Sequence, residues 1–137
     1  MITKNGYSKD LSIIPEGIAL TLPVAFFEDR QMTTDQFKKL FERYMSREDA
    51  IWNFRIKNLP TKEIYLVYLI FDGHIQYQCN FIQMERNVAK SFNDSPDGKT
   101  RDFAPCNWIL FTGPAIKPKH PRPQRGFQGF RYTTQLF

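Results

Sequence analysis

The stretch IYLVYLIFDGHIQYQCNF, residues 64–81, decides the fold of this chain. Residues 64–71 are apolar or aromatic throughout, which is typical of a strand buried on both faces of a sheet. Asp72-Gly73 follows, and these residue types tolerate the positive φ angles that a type I′ hairpin turn requires. The return run alternates in polarity up to Phe81-Ile82, where the break predicts a bulge. The stretch therefore predicts a hairpin at the centre of the sheet.

The alternation of the return run also predicts which side chains face the core. We expect an inward row of Ile75, Tyr77, Cys79 and Phe81, and an outward row of His74, Gln76, Gln78 and Asn80. Amides both donate and accept hydrogen bonds, so the outward row is suited to reading the edges of bases. A plain solvated sheet face explains the same row, and both interpretations stay open.

One amphipathic helix precedes the hairpin. In TTDQFKKLFERYM, residues 33–45, Thr33 and Gln36 have the spacing of a capping box with Thr33 as the N-cap. The apolar residues Phe37, Leu40, Phe41, Tyr44 and Met45 follow at helical spacing and predict a core-facing stripe.

One strand is predicted before this helix and one after it. PEGIALTLPVAFF, residues 15–27, alternates from Ile18 to Phe26 and predicts a strand. Because Pro23 cannot donate to a ladder, we expect this strand to lie at an edge or to bend there. WNFRIK, residues 52–57, predicts a strand that presents Arg55 and Lys57 on its polar face.

The rest of the chain is predicted as a long loop and two further strands. SFNDSPDGKTRDFAP, residues 91–105, predicts a polar loop. NWILFTG predicts a strand that ends at Gly113-Pro114, and GFQGFRYTT predicts a last short strand at an edge. The pattern predicts one α+β domain over residues 1–137: a mostly antiparallel, partly closed β-barrel with one main helix packed on it.

The excess positive charge of the chain lies near its C-terminus. The sequence has 19 Lys+Arg and 14 Asp+Glu, which gives a formal net charge of +5. Every acidic residue lies at or before Asp102, whereas five basic residues follow it: Lys117, Lys119, Arg122, Arg125 and Arg131. Such asymmetry favours an anionic partner, and a solvated basic tail has the same composition.

The C-terminal segment, residues 114–137, combines these cations with prolines, glycines and aromatic rings. Its most distinctive part is KPKHPRPQRGFQGFRY, residues 117–132. Cations contact phosphates and rings stack on single-stranded bases, so the segment predicts a nucleic-acid contact. The same rings also suit the plugging of a barrel end. We expect Phe130 to belong to the core and Phe127 to be the more exposed ring.

The order of these elements resembles the PUA-like superfamily, which includes the ASCH and EVE domains. The resemblance rests on GIALTLPV, the capped helix, WNFRIKN, the hairpin around FDGHIQYQ and WILFTGPAI. It implies a small β-barrel whose cleft takes RNA or a modified base. A few ASCH-type members are amidohydrolases acting on acetylated cytidine, with a closely spaced lysine and threonine and a later glutamate. Here EDRQMTT places Arg30 and Thr33 without a lysine, so no catalytic set is transferred.

Other chemistries lack a sequence signal. His74, His120, Cys79 and Cys106 have no ligand-pair spacing, so we expect no metal and no cofactor. No nucleophile motif is present, and catalytic residues are not assigned. No apolar run is long enough to span a membrane, and residues 1–10 lack the order of a signal peptide. Two cysteines predict a reduced, cytoplasmic protein.

The sequence therefore predicts a nucleic-acid, nucleotide or modified-base binding module. Its predicted contacts are Arg55, Lys57, Gln76, Gln78, Asn80, Lys117, Lys119, Arg122, Arg125, Phe127 and Arg131. The alternative is a protein-interaction module that docks its basic, proline-rich arm on an acidic partner. An amidohydrolase acting on nucleoside-like substrates is the third hypothesis.

Overall fold

A computed structural model describes residues 16–93, 98–135 and 137 of the chain. Within these residues a single mixed sheet has the strand order β2-β5-β4-β3-β1-β6. The strands are β1 (Gly17–Thr21), β2 (Trp52–Ile56), β3 (Leu66–Phe71), β4 (His74–Phe92), β5 (Arg101–Ile116) and β6 (Phe130–Thr133). The helices are α1 (Val24–Asp29) and α2 (Thr34–Met45). The fold is α+β, as predicted, and the sheet is open, with β2 and β6 at its ends.

The pairing of the strands is antiparallel except between β1 and β3, which run parallel.

No helix among the described residues is long and apolar enough to cross a lipid bilayer. Residues 1–10, which were expected to lack a signal peptide, lie outside the described part of the chain.

The predicted hairpin is confirmed at the centre of the sheet. β3 lies between β1 and β4, and its residues from Val67 to Phe71 are buried. Asp72 has φ 54° and Gly73 has φ 72°, so both central residues of the turn adopt the positive φ that a type I′ turn requires. The predicted bulge is also present, because the β4–β5 register shifts between Phe81 and Gln83.

A second bulge corrects the predicted faces of the return strand. The β3–β4 register shifts between Leu69 and Ile70, so Gln76 is an extra residue in β4. Beyond such a residue the alternation of side chains is inverted. Ile75 therefore packs on the opposite face of the sheet from Tyr77. The expectation that Ile75 and Tyr77 share one inward row was wrong.

The strand predicted to run from Ile18 to Phe26 is also corrected. β1 ends at Thr21, and Pro23 is the N-cap of α1. Proline lacks a backbone N–H and suits the start of a helix, so the chain leaves the ladder at this point. β1 is not an edge strand, because it lies between β3 and β6.

The capped helix is confirmed as α2. The backbone N–H of Gln36 donates to Thr33 Oγ1 at 3.1 Å, and that of Thr33 donates to Gln36 Oε1 at 2.8 Å. Phe37, Phe41 and Met45 are buried on the helix face that contacts the sheet. These side chains, with those of the facing sheet residues and of α1, form the main core.

The predicted loop over residues 91–105 is wrong at both ends. β4 continues to Phe92 and β5 begins at Arg101, while residues 94–97 lie outside the described part of the chain. Polar side chains still pair across these strands, because Ser91 Oγ donates to Asp102 Oδ1. β5 also continues past Gly113-Pro114, where the sequence predicted its end.

The C-terminal segment crosses the face of the sheet opposite the helices. A small second cluster of Ala19, Tyr68, Ile70 and Ile75 lies on that face. Residues 117–129 form no strand or helix, apart from an isolated bridge between His74 and Pro123. The segment then forms β6 at the sheet edge, which confirms the predicted last strand.

Candidate functional site

The far ends of β4 and β5 form an arm beyond the rest of the sheet. The arm consists of residues 88–92 and 101–106, which pair only with each other among the six strands. Its tip contacts α1, because Arg101 Nε lies 3.1 Å from Asp29 Oδ2. Asp29 also lies 3.9 Å from Arg30 Nη1. The pairing of Asp29 with two arginines closes one side of a cleft.

The cleft is lined by the two helices, by side chains from both faces of the end strand β2 and by the arm, and it has a volume of about 930 Å³. Ligand sites in proteins are commonly of this size and are mostly apolar, with a few placed polar groups. Six of the aromatic rings that line the cleft are partly exposed: Phe26, Tyr44, Trp52, Phe54, Phe92 and Phe103. Arginines lie over three of these rings, Phe26, Tyr44 and Phe103, so the cleft combines partly exposed rings with guanidinium planes.

The charged groups of the cleft are mainly cationic. Five arginines line it (Arg30, Arg43, Arg47, Arg55 and Arg101), against the two carboxylates of Asp29 and Asp102. Arg43 and Arg55 are exposed, and neither makes an ion pair within the described part of the chain. The guanidinium of Arg55 lies 4.8 Å from the centroid of the Phe103 ring. An anionic, planar ligand suits this combination of groups.

Arg55 is the one predicted contact that lies in the cleft. It is on β2, an end strand of the sheet, and it pairs in register with Trp108 of β5. Lys57 follows β2, is exposed and does not line the cleft. β5 separates Arg55 from the predicted amides of β4. The predicted contacts therefore do not meet in a single cleft.

The amide row is occupied by hydrogen bonds within the protein. Gln76 Nε2 donates to the carbonyl oxygen of Phe71 at 2.7 Å. Asn80 Nδ2 donates to the carbonyl oxygen of Gly113 at 3.1 Å. Gln78 Nε2 lies 3.5 Å from the Tyr68 hydroxyl, which is a weaker contact. These amides stabilise the sheet, which leaves them less capacity for a ligand.

The cations of the C-terminal segment differ in their surroundings. Lys117 Nζ lies 3.5 Å from Glu42 Oε1 on α2. Arg122 Nη1 donates to Gln135 Oε1 at 3.0 Å. Lys119 and Arg125 are exposed and make no ion pair among the described residues. Of these four cations, only Lys119 and Arg125 have neither an ion pair nor a hydrogen bond from the charged group among the described residues.

Phe127 and Phe130 are both partly buried, on opposite faces of the sheet. Phe130 packs against the main core and Phe127 against the small second cluster. The guanidinium of Arg131 lies 4.2 Å from the centroid of the Phe127 ring. One face of that ring is thus already covered by a cation, which limits base stacking there.

Several cleft residues were not predicted from the sequence. Arg43 and Asn53 were not singled out from the sequence, and Phe103 lies in the stretch that was predicted to be a loop. The one sequence feature that these residues share is an aromatic residue at or next to their position. This feature is a weak signal, because ordinary amphipathic strands and helices also have it. The described residues contain no group of His, Cys, Asp or Glu that would hold a metal ion. Comparison with protein-family models, curated proteins and solved structures finds no match to this chain.

Proposed function

We propose that this protein is a nucleic-acid or nucleotide binding module, and that the cleft between the helices, β2 and the arm takes the base. The observation that carries the proposal is the cleft itself, in which partly exposed rings stand beside arginines. Bases stack on aromatic rings and guanidinium planes, and arginine binds phosphate through charge-assisted hydrogen bonds. Arg43 and Arg55, which are exposed and unpaired among the described residues, are the phosphate contacts in this proposal.

The proposal includes a PUA-like relationship and a cytoplasmic location. The element order supports the relationship, since β1 is followed by helices and then by mainly antiparallel strands. Four register shifts along the β4–β5 pair also favour the strong curvature that a partly closed barrel needs. Cys79 and Cys106 are free thiols, which fits a reducing compartment.

Intrinsic fluorescence tests the proposal directly, because both tryptophans of the chain, Trp52 and Trp108, line the cleft. Nucleoside 5′-monophosphates and short single-stranded oligonucleotides are titrated at low salt. We expect saturable quenching, with Kd on the order of 0.1 mM for a mononucleotide and lower values for oligonucleotides. Arg55→Ser should weaken binding about tenfold, since a charge-assisted hydrogen bond contributes about 1.5–3 kcal/mol.

Lys119→Ser is the matched control, because it removes an exposed cation that does not line the cleft. It should leave mononucleotide affinity unchanged. The absence of quenching at millimolar mononucleotide and of oligonucleotide binding at tens of micromolar protein contradicts the proposal. If an acidic peptide then binds and Lys119→Ser weakens it, the exposed cations of the C-terminal segment are a protein-docking site instead.

A further inference from the structure

Asn53 is the polar residue of the cleft whose side chain has no explained role in the fold. It lies on β2 between two aromatic residues and lines the cleft. Its Oδ1 atom is shielded from solvent and has no hydrogen-bond partner among the described residues. Glu85 Oε1 is shielded as well, but the ammonium of Lys90 lies 2.6 Å away. Asn53 Oδ1 is therefore the one shielded side-chain oxygen in the described part of the chain with neither a hydrogen-bond nor an ion-pair partner.

An unpaired shielded oxygen destabilises the free protein, and a ligand that donates a hydrogen bond to it removes that cost. The terminal torsion of asparagine is soft, so its carboxamide turns toward a ligand without repacking of the strand. The amide group supplies one acceptor and one donor side by side. Its natural complement is a base edge with an adjacent donor and acceptor.

The position of Asn53 relative to Arg55 indicates the size of that ligand. Alternate residues of a strand share a face, so Asn53 and Arg55 project from the same side of β2, about 7 Å apart along it. Their partners in β5 are Leu110 and Trp108, and Phe103 contacts both Arg55 and Trp108. This face thus places an amide, a ring and a guanidinium within the length of one nucleotide.

We infer that Asn53 reads the base and that the cleft prefers an adenine nucleotide, with Asn53 on the base edge and Arg55 on the phosphate. Adenine presents its N6 amino group beside a ring-nitrogen acceptor, and asparagine pairs with that edge in two hydrogen bonds. The inference rests on the proposed function, since it assumes that a nucleotide occupies the cleft. Asn53 is accordingly a specificity residue rather than a catalytic one.

The test compares adenosine 5′-monophosphate with purine riboside 5′-monophosphate, which lacks only the N6 amino group. The wild-type protein should bind the adenine nucleotide about tenfold more tightly, as expected for a good amide–base pair. Asn53→Leu should bind both ligands with equal affinity. Arg55→Ser should weaken both ligands by the same factor and keep their ratio. The melting temperature of Asn53→Leu should match or exceed that of the wild type, because the substitution removes an unpaired oxygen.

The outcomes separate the inference from the proposed function. If both mononucleotides bind equally well to the wild type, the role of Asn53 is overturned while the proposed function stands. If neither binds, both are overturned. A clear fall in the melting temperature of Asn53→Leu also overturns the inference, since it shows that the carboxamide has a structural partner.

Discussion

The cleft and the C-terminal segment are built from the same kinds of side chain, but they offer different groups to a ligand. In the cleft, six partly exposed rings line a volume of about 930 Å³, and Arg43 and Arg55 have no acidic partner among the described residues. In the C-terminal segment, Arg131 covers the ring of Phe127, and Arg122 binds Gln135. Both regions retain cations without an acidic partner among the described residues, but those of the cleft line a cavity of about 930 Å³.

The comparison shows that residue types alone do not indicate which rings and cations line a cavity. Arginines beside aromatic rings were the reason to favour the C-terminal segment, since such groups bind phosphates and bases. The same groups also stabilise a fold when they pack on one another. Rings and cations contact each other in both regions, as Arg55 and Phe103 do in the cleft, but only those of the cleft line a large cavity.

The largest expected effect is a loss of stability on changing Phe41 to Ala. Phe41 is fully buried in the main core and also lines the cleft. Removal of a buried phenylalanine ring should lower the free energy of unfolding by about 3–5 kcal/mol. Chemical denaturation measures this, with Tyr65→Ala as the exposed-ring control, which should cost less than about 0.5 kcal/mol. A small change in the free energy of unfolding on Phe41→Ala would mean that the helices do not support the cleft.

The next effect is a loss of stability in alkali that depends on Cys79, which is buried in the main core. Burial raises the pKa of its thiol from 9.0 to about 12. The folded protein therefore retains a proton that the unfolded chain releases, so this stability is present below pH 9 and is lost as pH rises toward 12. The expected loss is about 1 kcal/mol per pH unit. In denaturation series between pH 9 and 12, the free energy of unfolding should decline less steeply for Cys79→Ala than for the wild type. Equal slopes for the two proteins would contradict the burial of the Cys79 thiol.

A smaller effect is expected for Phe127→Ala, which tests whether that ring supports the fold or stacks on a ligand. Because the ring is partly buried against the second cluster, its loss should lower stability by about 1–2 kcal/mol. Mononucleotide affinity of the folded protein should not change. Gln128→Ala, at the exposed neighbouring position, is the control. Weaker nucleotide binding at unchanged stability would assign Phe127 to the binding site.

The smallest effect is expected for Lys119→Ser combined with Arg125→Ser. Stability should change by less than about 0.5 kcal/mol, because both side chains are exposed. When the logarithm of the binding constant for a single-stranded oligonucleotide is plotted against the logarithm of the salt concentration, each phosphate contact contributes about 0.7 to the size of the slope. The paired cleft variant, Arg43→Ser with Arg55→Ser, should reduce that slope by about 1.4, and the C-terminal pair by less than about 0.7. The reverse result would make the C-terminal segment the main site for phosphates.

Much of the local structure was predictable from the sequence, but little of the site was. The hairpin turn, the capping box and the bulge after Phe81 were all located correctly. The predicted loop was wrong because polar composition does not distinguish a loop from a hairpin arm that is solvated on its surfaces. Arg55 was the one predicted contact found in the cleft. Its partners there come from α2 and from the arm, and no spacing in the chain connects them.

The sequence by itself determined those features that depend on residues close together in the chain. A positive φ at Asp72-Gly73 and the reciprocal hydrogen bonds of Thr33 and Gln36 are local preferences of the residue types involved. Only the tertiary structure decided which rings and cations face a cavity. That choice depends on the register shifts between β4 and β5 beyond Glu85, and on the contact of Arg101 with Asp29, 72 residues away. Packing between distant segments sets both, and no local preference encodes it.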